Sequence, residues 1–198
     1  MKNIETKEFK IKDLEGISKQ NIEEHLKLYK GYVTNTNFII NKIQELLKDK
    51  ENNMYFLGEL RRRFSFEFDG VRNHEIFFSL IENGYRELPE NSEFKKRIER
   101  DWNSFENFLD ELRTTAVTRG TGWVIVYFDR LTDNIFIQWV DEHHLGQLTG
   151  LSPILAIDMW EHAFVYDYPT SEKKKYIEAF LGNLDWQKVE ENFVNSLK

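Results

Sequence analysis

Residues 123–140 read WVIVYFDRLTDNIFIQWV, and this stretch decides the fold. Trp123 to Phe128 is a run of β-branched and aromatic residues. Leu131 to Asn134 carries turn residues, and Ile135 to Val140 is a second strand-like run. Upstream the pattern is helical. Gly16 precedes a helix start at Ser18, and Ile22, Leu26, Tyr29, Val33, Ile40, Ile43 and Leu47 approximate one stripe. Gly31 inside that stripe leads to the expectation of a kink. The polar run Lys48 to Asn53 ends it. A second helical region is expected to break near Asp69 and Gly70, and its second half, VRNHEIFFSLI, stops at Asn83-Gly84. GYRELPENS (Gly84 to Ser92) is the expected boundary between a helical unit, 1–88, and a mixed unit, 89–198. Helices at Glu93 to Arg100 and Phe105 to Val117 then precede the two strands. A loop from Asp141 to Ser152 leads to a third strand at Ile154 to Ile157, and two or three helices close the chain. There is no repeat and no low-complexity tract.

The 198 residues include 27 basic and 34 acidic side chains, a formal net charge of −7. Apolar residues make up 40% and aromatics 15%, which excludes disorder as the basic state. A chain of this length buries roughly two-thirds of its unfolded surface. Without cysteine it has no disulfide, no thiolate metal site and no cysteine nucleophile. The acidic balance argues against nucleic acid as a partner. Apolar runs such as Val124 to Phe128 fall far short of the ~18 residues that span a membrane, so no membrane partner is expected. The opening MKNIETKEFK has no apolar h-region, so the expectation is no signal peptide and a cytoplasmic location.

The chain has five histidines, and their settings carry the chemistry. His25, His74 and His162 all lie in apolar-rich segments expected to face inward. Any one of them reads most simply as a core histidine with a backbone partner. Asp158, between ILAI and MW, is harder to excuse, because a buried carboxylate needs a partner. The D-x-x-x-H spacing lets Asp158 and His162 converge, on one helical face or across a strand-to-helix turn. Three inward imidazoles and one carboxylate form a sulfur-free ligand set that suits iron, manganese or zinc better than calcium or magnesium.

These residues also carry a family resemblance. Asp158 to Ala163, DMWEHA, matches the signature D-x-W-E-H-A. Gly120-Thr121-Gly122-Trp123 looks like G-S-G-W, and Asn73-His74 fits the N-H of a second helix. Ile22 to His25 with Tyr32 to Asn35 resembles a first-helix motif, and Asn183 to Trp186 resembles a closing N-x-x-N-W. On these motifs the chain resembles the iron/manganese superoxide dismutases from about Phe9 to the C-terminus. The resemblance implies an α+β fold: an N-terminal α-hairpin, then an α/β domain with a three-stranded antiparallel sheet. It implies one iron or manganese ion per chain on His25, His74, Asp158 and His162, and disproportionation of superoxide. Tyr32 would stand near the substrate entrance, and Trp123 and Trp160 would wall the metal. Glu161 would reach across a homodimer interface to His162 of the partner subunit.

The departures from the family pattern shape further expectations. The spacing from His25 to Tyr32 is one residue shorter than usual, as it would be if the first helix lacked a bulge. The family's interface histidine on that helix falls at Leu28 or Tyr29, and its tyrosine partner falls at Val165, so both halves of that pair are absent. The family glutamine that hydrogen-bonds the metal's solvent cannot come from Gly70. His143 fits the alternative location, with His144 as its rival, and a histidine there inclines the expectation to iron. Lys30, Arg72 and Lys173 to Lys175 are candidates for steering the anion. The rival readings are a catalytically silent relative serving as a structural or binding subunit, and a zinc hydrolase.

Overall fold

Ser18 lies at extended dihedrals (φ −71, ψ 149), and its hydroxyl accepts the backbone N–H of Asn21, starting α1 (Lys19–Leu46). The computed structural model describes residues 2–198. Two single 3₁₀ turns, Leu47–Asp49 and Glu51–Asn53, carry the chain from α1 into α2 (Met54–Ile81). The two helices form the N-terminal hairpin. Near its tip a small separate cluster of Ile39, Ile43 and Leu57 holds them together. Before α1 the chain is an arm lying on the hairpin. Ile4 and Asn37 exchange two hydrogen bonds, and the Lys7 N–H reaches the Tyr29 hydroxyl at 3.0 Å.

The second half comprises α3 (Glu93–Trp102), α4 (Phe105–Ala116), β1 (Gly122–Asp129), β2 (Asn134–Asp141), β3 (Ser152–Asp158), α5 (Lys173–Gly182) and α6 (Trp186–Ser196). The sheet order is β2-β1-β3, with both pairs antiparallel. β1 is the middle strand and is buried from Gly122 to Phe128, which is why it reads as continuous apolar residues rather than alternating. Its register sets Trp123 opposite Val140 on one side and Asp158 on the other. The turn between β1 and β2 is closed by Asp129, whose carboxylate accepts the Leu131 N–H and the Thr132 hydroxyl. One phenylalanine after another joins the layers. Phe77 of α2 stacks on Phe180 of α5 at 5.2 Å, and Phe128 of β1 meets Phe193 of α6 at 5.0 Å.

Neither Gly31 nor Gly70 interrupts its helix. α1 runs unbroken through Gly31, where a side chain would meet nothing within 4 Å. Glycine there costs about 1 kcal/mol of helix propensity, and packing of Tyr29 and Val33 overrides it. α2 likewise continues through Asp69 and Gly70 to Ile81. Gly70 is buried against α1, so its missing side chain is a packing feature and not a helix stop. The C-terminal stop is as expected, with Gly84 at φ +69 just beyond the helix.

The two halves are joined through Asp185, which is fully buried. Its backbone N–H donates to Leu80 O at the end of α2 (2.8 Å), and its carboxylate caps α6 through Lys188 N–H. The same carboxylate accepts from Asn83 Nδ2 at 3.1 Å and from Arg86 Nη2. One side chain therefore satisfies donors from the hairpin, the linker and the last helix. Asp185→Ala should lower stability by about 2–3 kcal/mol, from a lost cap and lost charge-assisted hydrogen bonds. Urea unfolding would show this as a lower midpoint at unchanged slope.

Candidate metal centre

His25 comes from α1, His74 from α2, Asp158 from the end of β3, and His162 from the 3₁₀ turn Glu161–Ala163. The convergence of Asp158 and His162 is thus a strand-to-turn arrangement. One donor atom from each of the four residues lies within 4.8 Å of the others. Asp158 Oδ2 is the hub. It lies 3.1 Å from His25 Nε2, 3.1 Å from His162 Nε2 and 3.5 Å from His74 Nε2. Asp158 Oδ1 accepts the Trp160 N–H at 2.8 Å, and its backbone carbonyl accepts the Tyr176 hydroxyl at 2.9 Å. These bonds turn a single carboxylate oxygen toward the imidazoles.

His74 is oriented by its own helix. Its Nδ1–H donates to Gly70 O, one turn back, at 2.6 Å. That fixes the tautomer and aims the Nε2 lone pair at the centre, where it is buried without a protein partner. An orphaned buried lone pair beside two more imidazoles and a carboxylate oxygen is what a nitrogen-rich cation site requires. The residues present therefore fit an iron, manganese or zinc ion.

Burial alone would push the Asp158 carboxyl up, but the charge and hydrogen bonds of His162 and His25 outweigh it and hold Asp158 well below the usual carboxylate range. Burial lowers His25 and His74, and it brings His143 down to about 4. In the unfolded chain these histidines titrate near about 6.5. As pH falls below that value the unfolded state binds more protons than the folded state, so stability falls. The urea midpoint should be flat above pH 7 and decline between pH 6.5 and 4, with any bound metal lost over the same range.

Around the four donors lies an aromatic wall. Trp123 is fully buried and approaches His74 edge-on at 5.0 Å, while Trp160 stacks on His143 at 4.8 Å and on His162 at 5.7 Å. Tyr32 stands two helical turns beyond His25 on an unbulged α1, so the shortened spacing keeps both on one face. The Tyr32 hydroxyl is 2.8 Å from His143 Nε2. On the other side of that ring, Trp123 Nε1–H donates to His143 Nδ1 at 3.0 Å. An indole only donates, so neutral His143 carries its proton on Nε2 and gives it to the Tyr32 oxygen. His143 is fully buried, whereas His144 lies toward the surface, 3.9 Å from Glu142.

Several expectations change at this point. Gly70 not only lacks a polar group but leaves room for Tyr32: a Cβ there would lie 2.8 Å from the Tyr32 ring. Lys30 pairs with Glu8, Arg72 with Glu75, and Lys175 with Glu172, so these cations are neutralised locally. Lys173 donates to Thr118 O and lies over the Trp139 ring. The cation whose charge reaches both Tyr32 and His143 is Arg63, which sequence reading missed. Its guanidinium lies 3.7 Å above the Phe66 ring, and Phe66 in turn meets His143 at 4.6 Å. Arg63, Phe66, Gly70 and Asn73 recur at helical spacing on one face of α2, which was the available signal. Glu161 is exposed on its turn, and Leu28 and Val165 are exposed at 42% and 51%.

Family models for the iron/manganese superoxide dismutases match both halves: the alpha-hairpin domain over residues 3–82 and the C-terminal domain over residues 89–192. The chain belongs to the iron/manganese superoxide dismutase family. A relative from Aquifex aeolicus, named superoxide dismutase (Fe), is 35% identical, covering 96% of this chain and 90% of its own length. One from Aeropyrum pernix, named superoxide dismutase (Mn/Fe), is 30% identical over 87% of this chain and 80% of its own. One from Chlamydia muridarum, named superoxide dismutase (Mn), is 28% identical over 88% and 85%. The enzyme's relatives thus carry both metals in their names.

The Gly70 contact gives a direct test of how this family member seats Tyr32. Gly70→Ala gains up to about 1 kcal/mol of helix propensity, yet its Cβ must displace the Tyr32 ring. Activity per bound metal should fall severalfold while the far-ultraviolet circular dichroism is unchanged.

Proposed function

We propose that His25, His74 and His162 through Nε2, and Asp158 through Oδ2, hold one iron or manganese ion. At this site the enzyme converts two superoxide anions and two protons into dioxygen and hydrogen peroxide. The observation that carries this reading is the convergence of three Nε2 atoms on one buried carboxylate oxygen. A metal held by these four residues would supply one-electron redox chemistry between its +3 and +2 states. Iron is the preferred occupant, in keeping with the imidazole at 143 and with the name of the Aquifex aeolicus relative.

The protein's part is to admit an anion, exclude bulk water and deliver protons. Trp123 and Trp160 cover the donors with apolar surface. Arg63 supplies positive charge near the Tyr32–His143 pair, tempered by its hydrogen bond to Glu67. Tyr32 holds the proton. Burial pushes its phenol well above the ordinary value, so it stays protonated. Its oxygen is already accepting from His143 Nε2–H, which leaves its own O–H free to donate to an anion in the pocket. A catalytically silent relative has no need to keep all four donors, and here each position is filled.

The metal-donor test is compositional as well as functional. His74→Ala and Asp158→Ala should each lose bound iron or manganese, read by elemental analysis, together with dismutation of superoxide. Full activity in either variant would refute the ligand set. Reconstitution with iron alone and with manganese alone should give the higher activity with iron.

We further propose that the protein works in the cytoplasm as a homodimer. The His162 Nδ1 atom bonds no side chain among the described residues, and Glu161 has no ion-pair partner there. Both sit on one 3₁₀ turn, so a two-fold contact pairs His162 with Glu161 of the partner subunit, and its mirror image follows. Exposed Leu28 and Val165 supply apolar area where the family has a polar pair. Sedimentation should give a dimer, shifted toward monomer by Glu161→Ala.

A further inference from the structure

The segment that carries His143 is clamped on both sides. Glu142 adopts φ +52, its N–H donates to Thr121 O at 3.0 Å, and its carbonyl accepts Trp160 Nε1–H at 3.0 Å. The His143 carbonyl accepts two hydrogen bonds, from Asn73 Nδ2 and from Gln147 Nε2, both at 3.0 Å. Gln147 Nε2 also donates to Asn73 Oδ1 at 3.2 Å, and Gln147 Oε1 accepts the buried Tyr127 hydroxyl. The amide cannot turn over. A carbonyl only accepts, so the NH₂ end must face His143 O, and the Tyr127 O–H then finds the remaining oxygen. Both ends of the Gln147 side-chain amide are engaged, with β1 as anchor and α2 as the second contact.

Asn73 and Trp160 belong to motifs already assigned to the metal centre. Gln147 and Tyr127 belong to none. We propose that Gln147 is a positioning residue for the reaction. Anchored by Tyr127, it fixes the His143 peptide so that the imidazole stays between Trp123 Nε1–H and the Tyr32 oxygen. This rests on the reading of Tyr32 and His143 as the proton-holding pair. A displacement of about 1 Å at the backbone moves the ring off one of its two hydrogen bonds, and such misplacement is costly in rate.

The test uses the full chain loaded with zinc, a diamagnetic ion, to observe the Trp123 indole N–H by NMR, assigned by its absence in Trp123→Phe. Gln147→Leu removes all the hydrogen bonds at near-constant volume. Gln147→Glu keeps an acceptor for Tyr127 but loses both donors to His143 and Asn73. Both should shift the Trp123 N–H resonance and speed its exchange with solvent by about tenfold or more. With iron or manganese bound, kcat should fall about tenfold while kcat/KM, governed by arrival of the anion, falls less. Tyr127→Phe should move each readout in the same direction by a smaller amount. It keeps the test open if the leucine variant does not fold. An unchanged Trp123 signal in the Gln147→Glu and Tyr127→Phe proteins would overturn the positioning role. His143→Ala tests the underlying reading separately: unchanged kcat there would overturn the proton-holding pair, whatever the Gln147 variants show.

Discussion

The structure turns on one buried carboxylate. Asp158 has no solvent exposure, and an isolated charge at such a site costs several kcal/mol. Three imidazoles, a backbone N–H and a hydroxyl on its own carbonyl surround it, drawn from α1, α2, α5 and the turn that follows β3. The hairpin must therefore lie against the end of β3 for the charge to be satisfied. Residues from 25 to 176 are tied to one atom group, and the order of helices and strands is arranged around that convergence.

Next to the donors the space is as tightly specified as the charge. Gly70 gives up helix propensity so that the Tyr32 ring can lie against α2, and its carbonyl simultaneously fixes the His74 tautomer. One residue without a side chain thus serves two neighbours, through the volume it leaves open and the carbonyl it presents. Trp123 acts similarly. Its ring closes the wall around His74, and its N–H selects which nitrogen of His143 carries the proton. The direction of the His143–Tyr32 hydrogen bond is set here by a donor-only group placed behind the imidazole.

Charge is handled sparingly. The protein is net negative, and many of its surface cations are spent on local carboxylates three residues away, exposed pairs that solvent screens. Arg63 is paired too, with Glu67 four residues on, but its guanidinium also lies over Phe66, whose ring packs against Tyr32 and His143. Arg63 and His74 lie on one helix that continues without a break past Gly70, so the hairpin sets both of their positions.

Much was legible in the chain alone. The switch from helical stripes to β-rich runs near Trp123 is local chemistry, as are the Ser18 cap, the Gly84 stop and the inward settings of His25, His74, Asp158 and His162. What failed was reading Asp69 and Gly70 as an interruption, because propensity acts within about a turn and the packing that overrode it comes from the facing helix. Arg63 and the Gln147–Tyr127 clamp were hidden for the same reason, whereas His143 was already favoured over His144. The face of α2 that carries Arg63 is visible as a helical period, but its reach to His143, and the bond between Gln147 and Asn73, join residues more than seventy positions apart that no local motif encodes. The sequence by itself determined which residues seek the interior and which of them can donate to a metal. Only the tertiary structure decided which nitrogen faces which partner, because hydrogen-bond direction is fixed by the groups that the fold sets opposite one another.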